Sequence, residues 1–286
     1  MLSWQLLITI NVVFYSISTL LQRVVLKENQ SRPIAFAIFF QCMVGLFIGV
    51  AGLFTGQMQI PSSIMQMLPN LLLMTIMYAV FNILTFSALK YTEASLFTII
   101  LASRAFFTIA ASTFFLKESL TMFQIVGTCF IIFGIIVANL HGAKQIKIGK
   151  GEIFAGLAAL FLGLANTNDR IILQSIPLYP FLTMAFLLPA IITAAVFPRE
   201  VPHIIMFFNK TIIIKTMSVA LFYGLAATTF FAGLQATTNS SQFATISLTS
   251  TILIVILSMV LLKERDNLWK KIAGTGLSFL GLLLMR

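Results

Sequence analysis

Apolar residues fall along this chain in long blocks rather than in alternation with polar ones. Ten blocks of near-spanning length stand out, at 3–22, 34–54, 68–89, 94–116, 121–140, 153–172, 180–197, 211–235, 241–262 and 268–285. About 20 apolar residues in an α-helix cross the roughly 30 Å hydrocarbon core of a bilayer. The predicted fold is therefore an all-α integral membrane protein with ten transmembrane helices. The connections are too short to hold a soluble domain.

The block ends carry helix punctuation. Pro33 and Pro180 fall in the first turn of their helices, where a missing N–H costs nothing. Thr121 and Gln124 have capping-box spacing, and Asp266 or Asn267 is placed to cap the last helix.

The pattern also repeats. A shift of 147 residues superposes Phe14 on Phe161, Arg23 on Arg170, Pro33 on Pro180, Gly127 on Gly274 and Gly134 on Gly281. A shift of 146 superposes Lys117-Glu118 on Lys263-Glu264. The chain reads as two five-helix halves, 1–140 and 153–286, joined by a basic linker at 141–152. An odd helix number forces the halves into opposite orientations. Inverted repeats of this kind place a binding site near the midplane between them.

Composition agrees with a membrane class. Hydrophobic residues make up 59% and charged residues 9% of the 286, against about 25% charged in soluble domains. The net charge of +10 reads as topology and headgroup contact, not nucleic-acid binding, because no aromatic-interleaved basic patch accompanies it. Connections on one side hold fourteen of the eighteen Lys and Arg residues (Arg23, Lys27, Arg32, Lys90, Lys144, Lys147, Lys150, Arg199, Lys210, Lys215, Lys263, Arg265, Lys270 and Lys271). The other side holds three, Lys117, Arg170 and Arg286. The basic side is expected in the cytoplasm, with both termini outside. No basic residue precedes the first block, which predicts a retained spanning helix rather than a cleaved leader. Cys42 and Cys129 fall inside apolar blocks and read as core residues, not a disulfide framework. His141 and His203 lie in connections without an HExxH signature. An enzyme is not predicted, and neither is a metal or cofactor.

The stretch from Ala88-Leu89-Lys90-Tyr91 through Ala94-Ser95, Glu118, Gln124, Gly127 and Gly134 resembles the closing half of an EamA domain. That is the ten-helix branch of the drug/metabolite transporter superfamily. The second copy is similar through Glu264, Gly274 and Gly281. Two departures stand out. Ala105 and Thr251 occupy positions where the family often has proline, and the family usually keeps both termini in the cytoplasm. The resemblance implies that helices 1, 3, 4, 6, 8 and 9 surround a central cavity.

Polar residues at helical spacing mark faces that would line such a cavity. Helix 1 carries Asn11, Tyr15, Ser18 and Gln22, and helix 3 carries Thr75, Tyr78, Asn82 and Thr85. Helix 4 carries Arg104, Thr108 and Ser112, and helix 6 carries Asn166, Asn168, Asp169 and Arg170. Tyr223 and Thr228 on helix 8, with Ser241, Thr245 and Thr249 on helix 9, complete the set. Such residues also tie membrane helices together. Gly45, Gly49, Gly52 and Gly56 on helix 2 read as packing positions.

Arg104 is the sharpest signal. It lies about 15 Å into its block at 1.5 Å per residue, and a midplane charge costs at least about 2.5 kcal/mol. Its guanidinium suits a substrate carboxylate or phosphate; the structural alternative ties it to Asp169, Glu93 or backbone carbonyls. Helix 9 has Ser250 at the equivalent position, so the charge belongs to one half. No carboxylate is expected mid-helix, which leaves exchange or facilitated diffusion as coupling modes. The expected function is a small-metabolite secondary transporter, an exporter working by alternating access in the plasma membrane of a prokaryote, as monomer or homodimer. Its substrates would be anionic or zwitterionic. The alternative is a non-transporting structural or lipid-scrambling protein.

Overall fold

A computed structural model describes residues 3–27, 32–116, 122–141, 145–146, 148–210, 212–236, 247, 249–264 and 267–284. Its elements are helical apart from a two-residue antiparallel pairing of β1 (Leu140–His141) with β2 (Gln145–Ile146). The helices are α1 (Trp4–Leu26), α2 (Pro33–Phe54), α3 (Leu68–Tyr91), α4 (Ala94–Leu101), α5 (Arg104–Leu116) and α6 (Met122–Asn139) in the first half. The second half has α7 (Lys150–Leu173), α8 (Leu178–Val196), α9 (Ile213–Ala236), α10 (Thr249–Leu261) and α11 (Leu268–Leu284).

Local chemistry sets these limits. The Ser3 hydroxyl accepts the Leu6 amide and caps α1. Pro33 stands at the first position of α2, and Pro180 lies in the first turn of α8. Asn267 adopts a left-handed φ of 53° before α11, and its carbonyl accepts the Lys270 and Lys271 amides. Thr121 and Asp266 lie outside the described residues.

Among the described residues, five helical stretches are long and apolar enough to cross a membrane: Trp4–Leu26, Pro33–Phe54, Ile64–Tyr91, Leu178–Val196 and Ile213–Gly233. The predicted span 94–116 is divided. The block 94–116 is two helices, α4 and α5, parted at Ala102 and Ser103. No proline or glycine causes the break. The Ser103 hydroxyl instead donates to the Ile100 carbonyl at 2.7 Å. The backbone tightens to i→i+3 bonds, Ser103 N–H to Ile100 at 3.0 Å and Phe106 N–H to Ser103 at 3.0 Å.

The main helix contacts join one half to the other. α1 packs on α9, α3 on α7, α2 on α8 and α6 on α11. Exchanging the halves turns the α1–α9 pair into the α3–α7 pair and leaves the other two unchanged, so the packing repeats as the sequence does. In α2–α8 the glycines admit partner side chains, Gly45 facing Leu187, Gly49 facing Thr183 and Gly52 facing Tyr179. Gly56 differs from its expected packing role: with φ of 67° and open space around it, it ends α2. Cys129 is exposed rather than in the core, and Cys42 is half-buried.

In α6–α11 backbone meets backbone. A Cβ on Gly274 would lie 2.6 Å from the Gly134 carbonyl oxygen and 2.8 Å from the Ala138 Cβ. Gly274→Val should therefore destabilise the fold by about 1–3 kcal/mol or more through overpacking. Thermal unfolding in detergent measures it, with the open Gly276→Ala as the near-neutral control.

Candidate functional site

A small cavity lies within the first half, with Tyr223 of the second half in its wall. Tyr15, Thr19 and Gln22 of α1 line it together with Phe81, Asn82, Thr85 and Phe86 of α3. Phe40 of α2, Phe97 and Leu101 of α4 and Tyr223 of α9 complete the wall. Its aromatic side is a connected cluster, with Phe40 and Tyr223 centroids 4.9 Å apart and Phe40 and Phe86 5.0 Å apart. Its polar side is partly spoken for. Asn82 donates to the Tyr78 carbonyl at 2.8 Å and Gln22 to the Ser18 hydroxyl at 3.2 Å. The buried Thr85 hydroxyl has no partner among the described residues.

The remaining candidates sort by what they touch. Asn11 donates to the Ala226 carbonyl at 2.9 Å and Ser18 to the Val219 carbonyl at 3.0 Å, so both tie α1 to α9. Thr75 bonds the Leu71 carbonyl within its own helix. Thr108 bridges the Arg104 carbonyl at 3.0 Å and the Gly163 carbonyl of α7 at 3.1 Å. Asn166, Thr228 and Thr249 are half-buried and do not line the cavity. Thr245 and Ser241 lie outside the described residues, as do the side chains of Ser112 and Arg170.

Asp169 corrects the expectation that no carboxylate lies inside a helix. It is 2% exposed, with α7 continuing to Leu173 beyond it. Tyr78 donates to its Oδ2 at 2.6 Å, while its Oδ1 has no partner among the described residues. Next to it, Asn168 and Asn70 exchange hydrogen bonds of 2.8 and 2.9 Å.

Arg104 opens α5 just past the break and is half-buried. Neither expected tether holds it. Asp169 takes the Tyr78 hydroxyl, and Glu93 takes Lys271. Among the described residues its guanidinium has no hydrogen bond or ion pair. It is close enough to the Tyr78 and Tyr223 hydroxyls to act on both electrostatically, and Tyr223 belongs to the cavity wall. Arg104, three residues beyond the chamber-lining Leu101, thus opens a helix at a discontinuity with no guanidinium partner among the described residues.

The EamA-like transporter family matches residues 2–140 and 149–286. The chain belongs to that family. It is a multi-pass membrane protein built from two EamA repeats, and the family's members are transporters rather than enzymes. A solved crystal structure described only as that of a protein is 15% identical, with a TM-score of 0.67 over 98% of this chain and 95% of that one. That likeness concerns the fold. No curated protein matches the chain in sequence.

This EamA chain also holds a cluster of charges that the sequence reading placed in loops. Arg23 is 8% exposed and pairs with Glu264, Nε to Oε1 at 3.3 Å. Its Nη1 donates to the carbonyls of Leu89 at 2.5 Å and Lys90 at 2.9 Å. Glu264 accepts the Ala94 amide at 3.1 Å. Lys271, also buried, pairs with Glu93. Arg23 and Lys271 are therefore not headgroup contacts, and without them the basic-side excess is twelve to three. Burial, with Glu93 nearby, raises the Glu264 carboxyl above its ordinary range despite Arg23. The folded state thus holds this proton more tightly than the unfolded one. Stability should fall as pH rises from the ordinary carboxylate range through the raised value. Glu264→Gln should flatten that slope in thermal unfolding followed against pH.

Proposed function

We propose that the chain is a secondary transporter that exports small anionic or zwitterionic metabolites, amino acids or organic acids among them, by alternating access across the plasma membrane. In this reading ten spans form two inverted repeats, 1–140 and 153–286, joined at 141–152, with the basic loops cytoplasmic and both termini outside. Tyr15, Asn82 and Tyr223 contact the solute, and Arg104 supplies the charge that selects it. The observation that carries this reading is the Arg104 guanidinium, which has no hydrogen-bond or ion-pair partner among the described residues and follows the cavity-lining Leu101 by three residues. A membrane-embedded charge left without a partner is a ligand site by default.

The test is a thermal-shift screen of the purified protein, followed by flux in proteoliposomes. Carboxylate-bearing metabolites should stabilise it and exchange across the bilayer, and their amides or methyl esters should not. Equal response to neutral analogues would overturn the anion reading. Lipid flipping in vesicles without any solute flux would overturn transport itself.

A further inference from the structure

The charge cluster sits one helical turn beyond the cavity on three of its walls. On α1, Thr19 and Gln22 line the chamber and Arg23 follows. On α3, Thr85 lines it and the Leu89 carbonyl, four residues on, binds Arg23. On α4, Phe97 lines it and Ala94, three residues back, donates its amide to Glu264. Four residues of helix rise about 6 Å, so the cluster lies directly beyond the basic-loop end of the chamber. The groups come from both halves: Arg23, Glu93 and the Ala94 amide from the first, Glu264 and Lys271 from the second.

The chemistry of this closure differs from that of the seams around it. α6–α11 is locked by backbone contact, which has no favourable separated state short of a large rearrangement. A buried ion pair is different. Its Coulomb attraction is partly offset by the hydration both charges gave up, so parting the pair into water costs a modest free energy that favours closure without locking it. Two cations and two anions balance here, and opening leaves no orphan charge if all four are wetted together.

We propose that the Arg23–Glu264 and Lys271–Glu93 pairs form the gate that closes the basic-loop end of the transport path, parting and re-forming in each cycle. It rests on the transporter reading for what passes through, but its opening can be measured without any substrate. Among the described residues, the titratable and charged groups that act on Glu264 are Arg23 from α1, Glu93 ahead of α4 and Lys271 from α11.

The test uses the full chain with Cys42 and Cys129 replaced by alanine and one cysteine introduced as Thr19→Cys in the chamber wall. A membrane-impermeant sulphonated maleimide is added from the basic-loop side of vesicles. Labelling should be slow with the gate residues intact. In Arg23→Gln/Glu264→Gln, which removes both charges at once, it should rise at least about tenfold, since 1.4 kcal/mol of bias moves a two-state equilibrium by that factor. Glu93→Gln/Lys271→Gln tests the second pair independently if the first variant yields too little folded protein. A lowered melting temperature with unchanged labelling in both variants would overturn the gate and leave a structural tether. Faster labelling without flux of any screened metabolite would sustain the gate and count against the transporter reading. Flux with unchanged labelling would do the reverse.

Discussion

Arg104→Gln should weaken binding of carboxylate-bearing solutes by about 10–150-fold and leave the melting temperature of the free protein nearly unchanged. The size follows from the worth of a hydrogen bond to a charged group, about 1.5–3 kcal/mol. The unchanged stability follows from the structure. The guanidinium has no ion-pair partner among the described residues, so removing it orphans no buried group there. Arg104→Lys should fall between, because an ammonium keeps the charge but loses the planar fork. Affinity measured by calorimetry, beside unfolding of the ligand-free protein, separates the alternatives. A clear loss of stability with affinity intact would make Arg104 a tether.

Arg23→Ala should do the opposite. It leaves Glu264 and the Leu89 and Lys90 carbonyls without their donor in a buried place. Removing one partner of a buried pair typically costs about 3–5 kcal/mol. Glu264→Gln placed on top should recover part of that loss, because the stranded carboxylate is gone. A double-mutant cycle in thermal unfolding measures the coupling, expected at about 0.5–3 kcal/mol. Strict additivity would mean that the two side chains do not stabilise one another. The two arginines thus make opposite predictions, although each is a lone cation following apolar residues in the sequence.

That contrast marks how far the sequence could be read. The membrane class and the two EamA repeats were legible because hydropathy and repetition are local properties of the chain. The cross-half pairing of α1 with α9 and α3 with α7 follows from a repeat whose units cannot bury their faces alone. Arg23 was not legible as a buried group. A charge in the last turn of an apolar helix has the same local pattern whether it meets headgroups or Glu264, 241 residues away. Asp169 was obscured because a carboxylate near the end of an apolar block reads as a boundary. The polar faces were half legible. Tyr15, Gln22, Asn82 and Thr85 do meet at the cavity, whereas Asn11 and Thr108 spend their donors on neighbouring backbone. Spacing places residues on one face of a helix; it does not say what lies opposite.

The Ser103 bond to Ile100 also sets a bearing. Residues in a tight i→i+3 turn advance about 120° each, against about 100° in an α-helix. Each residue so wound swings everything that follows by about 20° around the helix axis. Arg104 lies within that stretch, spanned by the i→i+3 bonds of Ala105 N–H to Ala102 and Phe106 N–H to Ser103. One hydroxyl, and not a proline ring, therefore decides the compass point toward which α5 presents its cation.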